Sequence, residues 1–307
     1  MAATTDAPVL AHPSALAVRP AGPRSWARGL WWFCRHKPLG AFGGLIVVAM
    51  LLVAIFVDGA IIGSSHPWLA PDTFNDQHIR NVNQGISWAH PMGTDQLGRD
   101  IFSRVIVGSR SILSVAPLAT LLGTVLGTSI GLVTGYFGGL IDTVLSRLIE
   151  VLLALPLIIV ALLALVALGP STPTVVIVIG LIFAPLISRT VRAAVIAERE
   201  LDYVAAAELR GEGAAHIMFV EILPNVMPPI LVEATVRLGY AIFTVASLSF
   251  LGFGIQPPSA DWGLAISQNY AMITGGYWWT VVFDAIAIAS LVVGVNLVAD
   301  GVQAALE

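Results

Sequence analysis

The chain has 307 residues, of which 57% are hydrophobic and only 11% charged, with a net charge of −4. A soluble domain carries roughly 25% charged residues, so this composition cannot cover a water-facing surface and points to an all-α polytopic membrane helix bundle. The single cysteine, Cys34, excludes a disulfide scaffold and a cysteine metal cluster, and the charge balance carries no nucleic-acid signature.

Residues 1–38 form a tail with Arg19, Arg24, Arg28, Arg35 and Lys37 and no acidic residue between Asp6 and Asp58. Positive charge of this kind is retained in the cytoplasm. The apolar stretch that follows is too long for a signal peptide, so the first span reads as uncleaved. A helix needs about 20 apolar residues to cross roughly 30 Å of hydrocarbon. Uncharged runs near that length predict six transmembrane helices, at 39–57, 112–136, 151–168, 174–187, 226–252 and 278–299, within one membrane domain over 39–307. The fourth run is short unless it continues toward Val191, and Pro156 and Pro185 predict kinks. Six spans put both termini in the cytoplasm, with 137–150 and 188–225 as inner loops and 58–111, 169–173 and 253–277 outside. Inner segments then hold the five tail cations with Arg147, Arg189, Arg192, Arg199 and Arg210, against Arg80, Arg99, Arg104 and Arg110 outside.

The outer segment 58–111 ends in a motif comprising Gly93, Thr94, Asp95, Gln96, Leu97, Gly98, Arg99 and Asp100. Apolar pairs at Ile101/Phe102, Val105/Ile106 and Ile112/Leu113 then put one stripe on a helix, which predicts an interfacial helix before the chain turns inward. Two readings stand side by side: a membrane anchor, or a docking surface for an extracytoplasmic partner.

The inner segment 188–225 is more informative. Asp202 is a good N-cap for a short helix over 203–210, and Gly211 a good stop. Eight residues make a rod of about 12 Å, marginal alone in water. Its small side chains, Ala205, Ala206 and Ala207, suit a helix that seats in another protein's groove or packs on its own bundle. A second stretch over 214–223, apolar at Ile217, Met218, Val220 and Ile222, predicts a helix-turn-helix platform before Leu223-Pro224 returns the chain to the membrane.

Here a resemblance enters. Tyr203-Val-Ala-Ala-Ala-Glu-Leu-Arg-Gly211 followed by Leu223-Pro224 resembles the cytoplasmic loop of ABC-importer permeases. Ala206, Ala207, Gly211, Leu223 and Pro224 match that pattern position for position, while the pattern's glutamate falls on Ala205 and an isoleucine position falls on Glu221. Ala205 is then N3 relative to Asp202, where a glutamate would complete a capping box, and its loss costs up to about 1 kcal/mol. The motif over 93–100, with Ser249-Phe-Leu-Gly-Phe-Gly254, Pro257-Pro258 and Asp261-Trp-Gly263, is similar to the C-type permease subunits of dipeptide, oligopeptide and nickel importers. The resemblance implies a bacterial inner-membrane complex of two permeases, two ATP-binding subunits or one fused ATPase, and an extracytoplasmic substrate-binding protein. In that setting Asp202, Tyr203, Ala205, Ala206, Ala207, Gly211, Leu223 and Pro224 would couple the bundle to the ATPases.

Gly123, Gly127, Gly131 and Gly135 recur every four residues, which clears one helix face for close packing. That context also removes the nucleophile-elbow pattern of Gly127-Thr-Ser-Ile-Gly131, which needs a strand-turn-helix. Glu233 and Arg237 are spaced for an intrahelical ion pair, and intramembrane charge is by default a functional hypothesis. Arg147 and Glu150 allow a similar pair, and Asp284 and Asn296 are lone polar groups in the last span. The histidines show no metal spacing, no cofactor is expected, and the single lysine, Lys37, is followed by Pro38, so no phosphate-binding loop is present. Any ATP hydrolysis belongs to another chain. The expected function is an ATP-driven, binding-protein-dependent importer permease for dipeptides or oligopeptides, with nickel or another small chelate as an alternative cargo. An ion-driven secondary carrier is the rival class, and predicts inverted repeats and midplane acids.

Overall fold

A computed structural model describes Trp31, residues 33–56 and residues 73–306. The tail cations Arg19, Arg24 and Arg28 and the first part of the outer segment lie outside the described residues. Every long apolar run becomes a helix, because in hydrocarbon each backbone N–H and C=O must be satisfied within its own segment. The helices are α1 (Pro38–Phe56), α2 (Ile101–Phe137), α3 (Gly139–Leu153), α4 (Leu157–Leu168), α5 (Thr172–Arg199), α6 (Asp202–Leu209), α7 (Leu223–Phe250), α8 (Trp262–Asn269) and α9 (Trp279–Leu306). Five helical stretches are long and apolar enough to cross a membrane, and there are six crossings if the bent pair α3 and α4 counts as one.

The bundle is built around α2 and α5. The glycines at 123, 127, 131 and 135 run down α2 against α5: a Cβ at Gly127 would lie 2.7 Å from both Ala184 O and Ile187 Cβ, and one at Gly131 would lie 2.6 Å from Val191 Cβ. Such contacts bring the helix backbones together where any larger side chain would hold them apart. A second close approach, which the sequence reading missed, joins α1 to α9, where a Cβ at Gly43 would lie 2.5 Å from Gly294 O. α7 packs across both α2 and α5, and its other side meets α9 and α8.

One expectation is corrected, and the prolines expected to kink their helices differ in what surrounds them. Residues 101–112 are not a separate interfacial helix; they are the first turns of α2, a single helix of 37 residues that continues through Pro117. Pro156 does more than kink the third run, because α3 and α4 meet at 89° across Ala154-Leu155-Pro156. Pro185 lies within the continuous 28 residues of α5, and Ser188 Oγ donates to its carbonyl at 2.8 Å.

Candidate coupling surface

α6 is about two turns of helix, exposed on one side and pinned to the bundle by the other. Val204 and Ala207 are buried and Tyr203 half-buried, while Asp202, Ala205, Ala206 and Leu209 share the exposed face. The run of alanines is thus divided: Ala207 seats the helix on its own bundle, and Ala205 and Ala206 are offered outward. Leu209, which the sequence reading passed over, is 90% exposed. Its spacing of three and four from Ala206 and Ala205 was the available signal. Tyr203 donates from its hydroxyl to Glu198 Oε2 at 2.7 Å. Burial, then this acceptor, pushes the phenol up to about 12, so it stays a donor at any physiological pH.

The N-terminus differs from expectation by one residue. Leu201, extended at φ −85° and ψ 150°, is the N-cap, and Asp202 is the first helical residue, where its charge favours the helix dipole without capping. Ala205 is consequently N4, and the glutamate missing there removes no capping box. At the other end Gly211 has φ +76°, with Gly211 N–H bonded to Glu208 O at 2.9 Å and Glu212 N–H to Ala207 O at 3.2 Å. This pair of bonds is a Schellman stop, and it needs a residue without a Cβ in the left-handed region. Arg210 then bonds Glu212 Oε1 at 2.6 Å and Glu221 Oε1 at 3.3 Å. Glu221, where the resemblance expects isoleucine, therefore ties the end of α6 to the next segment.

That segment is not the second arm of a helix-turn-helix. Ala214–His216, a π-helical stretch Ile217–Ile222 and α7 form one continuous helix. Leu223-Pro224 accordingly does not redirect the chain. A proline supplies no N–H and crowds the carbonyl four residues before it, and the wider π turn immediately ahead accommodates both effects. Glu212, His216 and Glu221 bring their ligand atoms within 4.8 Å of one another, but the guanidinium of Arg210 already bonds both carboxylates.

At the opposite end of the bundle the motif over 93–100 folds on itself. Asp95 Oδ1 accepts from Leu97 N–H and Arg99 N–H, each at 2.9 Å, and Oδ2 accepts from Arg99 Nε at 2.6 Å. Gly98 allows this turn with φ +71°, in a place where its ideal Cβ would collide with the His78 backbone. Gly93, at φ +76°, packs under Trp279, whose indole N–H reaches Thr94 O at 3.3 Å. Asp100 caps α2 through Ser103 N–H at 2.8 Å and meets His90 Nδ1 at 2.9 Å. Arg99 Nη2 and Gln96 Nε2 both bond Gln268, linking the turn to α8. Thr94, Asp95, Arg99 and Asp100 are all buried, while Leu97 is exposed, so the polar side chains of the motif hold its own segment together. Arg104 is buried too, spanning Phe74 O at 3.1 Å and Ser259 O at 3.3 Å. α8 is absent from the sequence reading, although Asp261 caps it by accepting from Leu264 N–H at 2.9 Å. Burial pushes the Asp261 carboxyl up to about 6.

Between these ends, Arg237 Nε donates to Glu233 Oε1 at 2.6 Å and Thr190 Oγ1 reaches Glu233 Oε2 at 3.3 Å. Arg147 and Glu150 form an exposed pair at 2.7 Å. Asp284 is buried in α9, and Asn296 lies against Gly239 where α9 meets α7.

Comparison with known proteins decides the family. Residues 127–307 match the family described as binding-protein-dependent transport system inner membrane component. The chain belongs to this family. The permease is 37% identical over 273 residues to the dipeptide transport system permease protein DppC of Alkalihalophilus pseudofirmus, covering 89% of this chain and 86% of that protein. It is 38% identical over 283 residues to DppC of Escherichia coli K12, covering 90% of each. A chain of the MetNI methionine ABC transporter in an inward-facing conformation is similar with a TM-score of 0.54, over 66% of the permease and 96% of that chain. At 19% identity that likeness concerns the fold alone. Membership makes this chain a multi-pass inner-membrane permease, a non-catalytic transport subunit that works with a substrate-binding protein and ATPase partners.

Proposed function

We propose that the permease carries dipeptides or closely related short peptides, forming half of a path completed by a second permease and driven by two ATP-binding subunits or one fused ATPase. The observation that carries the cargo is the 37–38% identity, across nearly the whole chain, to proteins named as dipeptide permeases. The mechanism is alternating access. The exposed face of α6, formed by Asp202, Ala205, Ala206 and Leu209, receives motion from the ATPases, while Tyr203, Val204 and Ala207 pass it into the bundle. Gly211 and the helical passage through Leu223-Pro224 hand that motion to α7. Reconstitution with both permeases, the ATPases and the binding protein is expected to give dipeptide uptake only when ATP is supplied. Uptake by this chain alone under a proton or sodium gradient overturns the division of labour, and uptake of free amino acids without dipeptides overturns the cargo.

In the same reading both termini and α6 are cytoplasmic, and the motif over 93–100 faces outward. The ten-to-four distribution of basic residues between the two sides supports this orientation. A cysteine at Ser171, in the turn ahead of α5, is expected to react with an impermeant maleimide on intact cells. Labelling only after permeabilisation overturns the orientation.

A further inference from the structure

A cavity of about 390 Å³ opens between the first turn of α4 and the middle of α5 and α7. Its walls are apolar, with Leu157, Ile158, Phe183 and Phe243 among them, and its one charged lining residue is Arg237. Arg237 lies near the centre of the 28-residue α7, roughly 20 Å from either end of that helix. The break between α3 and α4 brings Leu157 and Ile158, at the start of α4, to the wall of the same cavity. Arg237 sits within a membrane-spanning helix, where a charge is expensive.

The guanidinium is held but not used up. Nε and Nη2 both meet one oxygen of Glu233, Oε1, while Nη1 makes no hydrogen bond among the described residues, and the guanidinium lies 5.6 Å from the centre of the Tyr240 ring. A purely structural ion pair within one helix gains little here, since apolar residues of equal volume pack as well without the desolvation cost. Charge complementarity identifies an occupant instead. A short peptide that leaves water carries a carboxylate at one end, an ammonium at the other and side chains of any kind between. A guanidinium with a free N–H edge matches the carboxylate, and unspecific apolar walls tolerate the side chains. The volume falls in the usual range for small-molecule sites.

We propose that Arg237 is the carboxylate-binding residue of a station within the bundle for the transported peptide, with Glu233, itself braced by Thr190, holding the Arg237 side chain in place. This rests on the peptide cargo proposed above. The test is equilibrium binding of a dipeptide and of its C-terminal amide to the complete transporter in nanodiscs, without binding protein. The free dipeptide is expected to bind at least tenfold more tightly than the amide. Arg237→Gln is expected to weaken the dipeptide by a similar factor and leave the amide unchanged, and Arg237→Lys to fall between. Equal binding of dipeptide and amide to the unmutated complex overturns the station even if the glutamine variant fails to assemble. Equal loss of both ligands in an assembled variant also overturns it, because it marks a purely structural pair. Absence of any binding, with dipeptide uptake intact once the binding protein is added, overturns the station and leaves the cargo standing. Absence of dipeptide uptake by the whole system overturns the cargo itself.

Discussion

Gly127→Leu is expected to leave almost no folded permease in the membrane. The ideal Cβ at this position already lies 2.7 Å from the Ala184 carbonyl oxygen and 2.7 Å from Ile187 Cβ, so the new side chain meets backbone that cannot swing aside. Overpacking a tight core costs about 1–3 kcal/mol for a modest excess of volume, and a leucine here must also separate α2 from α5, the most extensive helix pairing in the molecule. Against a total stability of roughly 5–15 kcal/mol, the loss is disabling. Gly44→Ala is the control, since its Cβ would meet only Val298 Cγ2 at 3.9 Å. Membrane abundance and size-exclusion profile in mild detergent provide the readout. A monodisperse Gly127→Leu protein at normal abundance overturns the packing role of the glycine row.

The second large effect falls on transport and spares the fold. Gly211→Val, Ala206→Glu and Leu209→Asp are each expected to insert at normal abundance and to lose at least tenfold of substrate uptake, with co-purifying ATPase falling in parallel. Gly211 has open space around its Cβ position, so its constraint is its φ of +76°, which a β-branched residue adopts only at a cost of about 1–3 kcal/mol. The end of α6 would unwind while the bundle stays intact. Ala206 and Leu209 are exposed, so a charge there is cheap for this chain and harmful only to a partner that covers them. Normal uptake by all three variants overturns the assignment of α6 as the coupling element.

Much of the fold is legible in the sequence, because an uncharged run of membrane length has no alternative to helix. The short helix before Gly211 is equally legible, since small residues followed by a glycine stop are local signals. Proline is where the local rules give out. Pro156 marks a right-angled break, Pro185 lies within a continuous helix, and Pro224 comes just after a π turn, so the same side chain yields three outcomes according to what neighbours supply to the disturbed ladder. The extension of α2 through 101–111 was hidden for a related reason. Arg104 reads as a reason for a helix to stay at the interface, yet its partners are carbonyls of Phe74 and Ser259, far away in the chain. The motif over 93–100 was visible as a cluster of polar residues, but its burial depends on Gln268 and Trp279, which no local pattern announces.

The length of α2 has a mechanical consequence. At about 1.5 Å per residue its 37 residues make a rod of roughly 55 Å, longer than the hydrocarbon it crosses. One end meets the last residue of α5, just ahead of α6, where Arg199 Nη1 bonds Tyr136 O at 2.7 Å, and the other is capped by Asp100 within the folded segment beyond. A tilt of about 10° pivoting at the lower end sweeps the upper end through roughly 10 Å for a rod of that length. The glycine row packs α5 closely against the same rod. In the proposed mechanism a small rotation at the α6 end would be geared up to a displacement the size of an amino acid at the far end, with no relay of side chains needed between them.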